Sequence, residues 1–274
     1  MRITCLDTMN LIHRARSGFA KGPHAITYNF FRQLRPIIEL TDPDKVYLVL
    51  EGNPTHRQEV DGIDYKGGRK DAGEDFYRQV NEIIQLISES LPFDIMKADD
   101  LECDDVIANL AIYHDDQGDD VTIVSGDSDF MQMLDNRPSI NLYHPIRKKY
   151  LDPTPYHYLT WKALTGDSSD NIPGIPRVGP KTAEKLLMTE GALDNFLEDE
   201  EKEKIFKRNY GLIEFVSIDS FEPDKYMINT SNLQASHLCE TFERMGFTSL
   251  VKEKTFKKYI ETFETINHKI SKRR

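Results

Sequence analysis

The sequence predicts an α/β protein with a mostly parallel central sheet flanked by helices, on three observations. Short β-type apolar runs recur at residues 3–6, 46–50, 121–124 and 140–143, helical patterns at 28–40, 74–91 and 103–114 lie between them, and the runs are apolar throughout. Strands alternating with helices favour parallel pairing through crossovers, and continuously apolar strands suit a sheet covered on both faces. Composition agrees: of 274 residues, 39% are apolar and 30% charged, too hydrophobic for a disordered chain and too polar for a membrane protein. No run approaches ~18 consecutive apolar residues, and the opening MRITCLDTMN has strand character rather than that of a secretion signal. Cys5, Cys103 and Cys239 are an odd number with no C-x-x-C pair, so reduced thiols in a cytoplasm are expected.

The first run stops at Asp7, the second at Glu51, and the run at 121–124 just before Ser125-Gly126-Asp127. Ligands of open parallel sheets bind beyond the carboxyl ends of the strands. One acid there is commonly the cap of the next helix. Three such ends, with no Lys or Arg beside them in the chain, point instead to a site. The helix opening at Cys103 turns Val106, Ile107, Leu110 and Ala111 inward and carries Glu102, Asp104 and Asp105 around its first turn. The helix dipole favours such acids by ~0.3–1 kcal/mol each, which accounts for one or two of them. It does not account for their joining Asp127 and Asp129, because like charges a few ångströms apart repel. A cation should sit among them, and carboxylates without His or Cys at ligand spacing favour Mg²⁺ or Mn²⁺. Asp115, Asp116, Asp119 and Asp120 occupy a Gly-containing connection and are expected to form a solvated turn.

The formal charge of −11, taken alone, argues against a polyanionic partner. Residues 97–136, however, hold twelve acids against Lys97, so the other 234 residues sum to zero. Residues 1–40 carry six bases against two acids, and 251–274 carry eight against three. Phe256, Tyr259, Ile260, Phe263, Ile266 and Ile270 have near-helical spacing, which predicts a terminal helix packed on the body with a basic outer face. Thr165-Gly166-Asp167-Ser168-Ser169-Asp170 adds two carboxylates, and 174–187 reads as a tight hairpin feeding a helix with Pro180 just inside its start. Gly174 and Gly179 permit close backbone approach, and free N–H groups at the helix start suit a phosphate. Lys181 and Lys185 add charge without reading bases. Trp161 and the cysteines are expected to be packing residues.

Six stretches in one order, LDTMNLIHRA, VYLVLEGNPTHRQ, DYKGGRK, LECDDVIANLA, VSGDSDFMQML and LTGDSSDNIPGIPRVGPKTAEKLL, resemble the flap endonuclease or 5′–3′ exonuclease family. That family includes free-standing phage and bacterial enzymes and the N-terminal nuclease domain of bacterial DNA polymerase I. The match spans residues 1 to about 190, and 208–213 with Asp219 resemble the closing part of the same fold. The resemblance implies a PIN-like 5′-nuclease core over 1–160, with a helical arch at about 60–92. Over 161–274 it implies a helix–hairpin–helix DNA-binding region and C-terminal helices packed on the core. Asp7, Glu102, Asp104 and Asp127, with Asp105 and Glu51, would surround a first metal position, and Asp129, Asp167 and Asp170 would serve a second. Glu51 stands where the family usually has Asp, which leaves both direct coordination and contact through water open to it. Tyr65, Lys66 and Arg69, in an arch loosened by Gly62, Gly67, Gly68 and Gly73, would lie near the scissile phosphate, and Arg14 would approach it. Gly174, Val178, Gly179, Lys181 and Thr182 would grip duplex backbone, with K⁺ at the hairpin carbonyls.

The implied activity is hydrolysis of DNA phosphodiesters at 5′ flaps and 5′ ends in replication or repair, with two or more Mg²⁺ or Mn²⁺ ions. Catalysis would fall to Asp7, Asp104, Asp127, Lys66 and Arg69. One competitor is a ribonuclease or RNA-primer-removing enzyme of PIN-like architecture, which the acids alone would allow. The other is a non-catalytic junction-binding protein, against which the intact carboxylates stand. The expected partner is DNA with a 5′ flap, a 5′ overhang or a duplex end, met by a monomer in a bacterial cytoplasm, host- or phage-encoded. No membrane is involved. No polymerase-sized region follows before Arg274, so the chain is expected to act free-standing or through replication proteins.

Overall fold

The computed structural model describes residues 1–53, 57, 63–68 and 71–271, the last five by their backbone alone. In chain order the elements are β1 (Arg2–Asp7), α1 (Thr8–Arg16), α2 (Ala25–Thr41), β2 (Lys45–Val49), α3 (Glu74–Ser90), β3 (Asp94–Met96) and α4 (Cys103–Asp116). Then come β4 (Asp120–Val124), a 3₁₀ helix (Ser128–Leu134), β5 (Ile140–His144), β6 (Lys149–Leu151), α5 (Tyr158–Thr165), β7 (Gly166–Asp167) and β8 (Ile172–Pro173). The chain continues through α6 (Pro180–Met188), α7 (Ala192–Leu197), α8 (Glu200–Ile213), β9 (Met227–Thr230), α9 (Ala235–Arg244) and α10 (Glu253–Ser271). Among the described residues no helix is long and apolar enough to cross a membrane.

Seven strands form one sheet in the order β6-β5-β4-β1-β2-β3-β9. The five inner strands pair in parallel, and β6 and β9 close the two edges antiparallel. The sheet is therefore mostly parallel, as the alternation of strands and helices predicts. Leu6, Leu48 and Val124 face the layer of α1, α2, α3, α9 and α10, whereas Cys5, Tyr47 and Ile123 face α4 and the 3₁₀ helix. Burial on both sides explains why the inner strands are apolar without alternation. The three strands of this sheet that the pattern does not reveal are short: β3 has three residues, and β6 and β9 are partly exposed edge strands.

Helix α3 buries Phe76, Val80, Ile83, Leu86 and Ile87 in the same layer as α2 and α9. An arch over 60–92 is therefore too long. From Glu74 onward the chain belongs to the body, because a full apolar stripe of this helix needs covering. Helix α10 buries Tyr259, Ile260, Phe263 and Ile266 in that layer, and the Tyr259 hydroxyl donates to the Phe31 carbonyl at 3.0 Å. The side chain of Ile270 lies outside the described residues, as do Gly62 and Arg69. The turn after α4 is not simply solvated: Asp119 is buried, its Oδ2 lies 2.8 Å from His114 Nδ1, and its Oδ1 takes the N-terminal amine.

Helices α5 to α8 enclose a small separate core of Leu164, Ile175 and Ala183, flanked by Trp161. Trp161 Nε1 donates to the Pro180 carbonyl at 3.4 Å, tying α5 to the start of α6. The fully buried Asn209 donates through Nδ2 to the carbonyls of Ala163 and Pro173, at 3.0 and 2.9 Å, and so clasps α8 to α5 and β8. Gly166 has φ +77°, and a Cβ on Gly174 would come within 2.2 Å of the Thr165 carbonyl oxygen. Gly174 is thus required by its own chain rather than by an incoming backbone.

Candidate active site

Strand β1 is the switch point of the sheet, with β2 on one side and β4 on the other. Leu6 stands opposite both Leu48 and Val124, so the chain just beyond each strand end opens on one cleft. Asp7 ends β1 and caps α1, accepting from the Asn10 N–H at 3.0 Å, while Ser125 Oγ donates to its other oxygen at 2.6 Å. Asp127 caps the 3₁₀ helix and accepts from the Asp129 N–H at 2.9 Å. Asp104 lies in the first turn of α4, and Glu51 follows β2 and accepts from the Cys103 N–H. Glu102, Asp104, Asp127, Asp129 and Asp170 line one cleft. Asp7 and Asp104, with Cys103, present ligand atoms all within 4.8 Å of one another, and so do Asp129, Asp167 and Asp170.

The electrostatics of these groups divide in two. Burial, then the charge of Asp127, pushes Asp7 up to about 6 against the pull of its hydrogen bonds. Asp104 is raised well above the usual carboxylate range by burial and by Asp7, Asp127 and Glu51. Glu51, at the exposed rim, is raised by desolvation and then by Glu102 and Asp7, with Lys66 opposing; solvent at its outer edge moderates the rise. Among the described residues no Lys or Arg forms an ion pair with Asp7, Asp104 or Asp127. At the other position Lys162 Nζ sits between Asp129 and Asp167, at 2.7 Å from Asp167 Oδ2. Asp129 is still pushed up to about 6 by burial, whereas for Asp167 the burial penalty is outweighed by Lys162 and Ser169 and its pKa is lowered.

Two sequence-predicted ligands are engaged elsewhere. Asp105 is fully buried and takes both terminal nitrogens of Arg57, at 2.8 and 2.7 Å, so it faces the interior and not the cleft. Glu102 reaches the cleft but is held by Arg57 at 2.6 Å, by Lys66 and by the Tyr65 hydroxyl at 3.0 Å. Tyr65 also donates to Asp170 at 3.2 Å, so Tyr65 and Lys66 lie on the acids themselves. Arg69 falls outside the described residues. Arg14 donates to Gln33 at 2.6 Å and lines a groove with Arg32, Tyr143 and Lys148. In the hairpin, Gly179 caps α6 with open space where a Cβ would stand, Pro180 is the first helical residue, and Lys181 and Thr182 are exposed. The Val178 N–H is used internally, donating to the Ile175 carbonyl at 3.0 Å.

Arg57 and Lys162 were not singled out from the sequence. Arg57 is distant in the chain from both acids it meets, and Lys162 from Asp129 though only five residues from Asp167; the local signal for Lys162 is its inward position in the pattern of α5. Ser125, which orients Asp7, has a clearer signal: it directly precedes the Gly-Asp that ends the β4 connection.

Clustered carboxylates with raised pKa and no basic partner are a donor set for a hard divalent cation. The mostly parallel sheet carries that set at its switch point, with a helical unit alongside. The family model of the 5′-3′ exonuclease N-terminal resolvase-like domain matches residues 2–157, and that of the 5′-3′ exonuclease C-terminal SAM fold matches 153–215. The chain belongs to the 5′-3′ exonuclease family. It is 32% identical over 207 residues to DNA polymerase I of Streptococcus pneumoniae, covering 71% of this chain and 23% of the polymerase. With the thermostable DNA polymerase I of Thermus aquaticus it shares 34% over 214 residues, 72% of this chain and 25% of that one. The chain thus spans about a quarter of the length of these relatives. Its fold is similar to that of the bacteriophage T5 flap endonuclease, solved as a pseudo-enzyme–product complex with DNA and metal ions. The TM-score is 0.64 at 15% identity, over 97% of this chain and 99% of that one.

Proposed function

We propose that the chain is a structure-specific 5′ nuclease that hydrolyses DNA phosphodiesters at 5′ flaps and 5′ ends with Mg²⁺ or Mn²⁺. The observation that carries this reading is that Asp104 and Asp127 line one cleft, with buried Asp7 beside Asp104 and in the field of Asp127, all three without a basic partner among the described residues, next to a second group of Asp129, Asp167 and Asp170. The first three would hold one ion, with Glu51 at its rim, and the second three another. Bound divalent ions supply charge stabilisation at the phosphate and a water of lowered pKa.

The chain's own residues do the rest. Ser125 fixes the rotamer of Asp7, as outer partners of ligands generally do. Lys162 neutralises Asp129 and Asp167 in the metal-free protein and so prevents their mutual repulsion from opening the cleft. Lys66 rests on Glu102; an incoming phosphate gives its ammonium a second anionic acceptor, and a cation already in place stabilises charge that builds on the phosphate. Tyr65 packs against the cluster of Ile63 and Ile172 with Lys66 over its ring at 5.0 Å, so a base at the 5′ end would stack on it only as Lys66 turns to the phosphate.

Duplex DNA would be gripped on two sides. On one, the N–H groups at the start of α6, the open Gly179 and exposed Lys181 and Thr182 suit phosphates, with K⁺ at the hairpin carbonyls. On the other lies the groove of Arg14, Arg32 and Lys148, in which neither Arg32 nor Lys148 forms an ion pair among the described residues. These contacts read backbone and shape, not base order. The chain would act as a monomer alongside replication proteins.

The test is digestion of internally labelled 5′-flap substrates, with DNA or RNA flaps, in Mg²⁺ and in chelator. Wild-type protein should cut DNA flaps near the junction only with metal, and Asp127→Asn should bind the flap while cutting it on the order of 10³-fold more slowly. Near-normal turnover by Asp127→Asn, or undiminished cutting in chelator, would overturn the reading.

A further inference from the structure

The described part of the connection between β2 and α3 is seated on the β7–β8 hairpin of the helical unit. Residues 64–67 form a tight turn, closed by the Gly67 N–H donating to the Asp64 carbonyl at 3.0 Å, and Lys66 lies in it at φ +56°. That left-handed backbone disfavours lysine, so contacts outside the turn must hold it. The hairpin supplies them. Asn171 Nδ2 donates to the same Asp64 carbonyl at 3.0 Å, and the Lys66 N–H donates to the Asp170 carbonyl at 3.2 Å. Ile63, just before the turn, is buried against the cluster of Ile172 and Leu212. Asn171 itself has φ +62°, a conformation that asparagine adopts more readily than most residues with a side chain.

We propose that Asn171 is a positioning residue for Lys66: its amide seats the 64–67 turn on the hairpin and so fixes where the Lys66 ammonium meets the scissile phosphate. The inference rests on the nuclease reading above. One short hairpin carries Asp167 and Asp170 and, through Asn171, the turn with Tyr65 and Lys66, so the acids of the second group and the cation share one frame. A lysine side chain is long and flexible, and an ammonium brought to its place by a fixed backbone has less freedom left to lose when the phosphate arrives. Tyr65, Lys66 and Asp170 line the cleft, whereas among the described residues Asn171 does not. Asn171 therefore acts through the turn and not on the substrate.

The variant is Asn171→Gly, since glycine keeps the left-handed backbone and removes only the amide. Two measurements use the full chain. In metal-free protein without DNA, tryptic cutting of the Lys66–Gly67 bond, followed by mass spectrometry, reads how firmly the turn is seated. Asn171→Gly should speed that cutting by about 3–10-fold, as the loss of one hydrogen bond would. On an internally labelled 5′ DNA flap, at saturating protein and Mg²⁺, it should lower the single-turnover rate by a similar factor, with flap affinity and the Mg²⁺ half-saturation unchanged. In a Lys66→Ala background the same substitution should cost nothing further, because the two act as one unit. Tryptic cutting unchanged by Asn171→Gly, a rate loss that adds in full to that of Lys66→Ala, or a loss that appears as a shifted Mg²⁺ half-saturation overturns the proposal. Proteolysis needs no catalysis, so a parent protein that cuts no flaps counts against the nuclease reading, and unchanged proteolysis counts against Asn171.

Discussion

Removing Arg57 should destabilise the protein far more than a substitution between secondary-structure elements usually does. Its guanidinium is 3% exposed and makes five contacts: Glu102 at 2.6 Å, Asp105 at 2.8 and 2.7 Å, the Leu212 carbonyl at 3.1 Å and the Glu214 carbonyl at 3.0 Å. Burial works against its charge, but the hydrogen bonds and charge of Asp105, then Glu102, outweigh it. In Arg57→Met, Asp105 keeps, among the described residues, the Val216 N–H at 2.9 Å and otherwise stands as a buried uncompensated carboxylate. Breaking a buried pair in this way costs about 3–5 kcal/mol. At roughly 2–4 °C per kcal/mol for a chain of this size, the melting temperature should fall by roughly 6–20 °C. Urea denaturation in chelator, which removes any contribution from bound metal, measures the loss directly. Adding Asp105→Leu to Arg57→Met should recover most of it, since apolar replacement of a whole buried pair is often neutral. A single variant within about 1 kcal/mol of wild type would refute the argument. A double variant no more stable than the single would shift the anchoring from the ion pair to the two carbonyls.

Lys162→Met should lower the stability of the metal-free protein by about 2–3 kcal/mol, less than Arg57→Met because Asp129 keeps more contact with water. The rise in melting temperature on adding Mg²⁺ should then be larger than in wild type, and an unchanged rise would mean that Lys162 and the ion do not share these carboxylates. Arg32→Glu combined with Lys148→Glu should weaken flap binding and flatten the slope of log affinity against log salt by about 2; an unchanged slope would take the groove off the DNA path. With pH the sign is opposite to that of ordinary paired carboxylates. Asp7 and Asp129 are pushed up from 3.8 to about 6, so their contribution to stability is full below the unfolded value and is lost as pH rises through about 6. Metal-free protein should therefore lose stability between about pH 4 and about pH 7 through these groups, and Mg²⁺ should reverse the loss by binding the ionised forms. Melting curves with and without chelator that ran parallel across this range would contradict it.

What the sequence made legible follows from what each element must bury. Strands β1, β2, β4 and β5 are readable because both faces are covered, which forces an unbroken apolar run and leaves the terminal acids conspicuous. Strands β6 and β9 lie at the edges with partly exposed residues, and nothing in their composition separates them from loops. The apolar period of 74–90 is legible as a helix, and its packing sets that helix on the body. Asp104 and Asp105 are adjacent and chemically identical, yet they point about 100° apart around α4, one to the cleft and one inward, where Asn109 on the same stripe meets the Ile218 N–H at 2.8 Å. That distinction depends on what lies opposite, which is residues 212–218 and Arg57, and no local pattern contains it.

Bases absent beside the acids in the chain are supplied by folding from elsewhere in it. Arg57, Lys66 and Lys162 reach Glu102, Asp105, Asp129 and Asp167 from 33 to 48 positions away in most pairings, so part of the negative charge is neutralised by the chain itself. A tethered cation is fixed at one distance and cannot exchange; Arg57 so holds Glu102 and Asp105 to the fold, whereas Lys162 holds two acids of the second proposed metal group. Asp7, Asp104 and Asp127 have no such partner among the described residues and are the acids of the first proposed metal position. The division between paired and unpaired acids separates the two proposed metal positions, the second of which an ion can enter only against Lys162. The Lys162 experiment tests that division directly, because only there do a chain cation and an ion compete for the same oxygens.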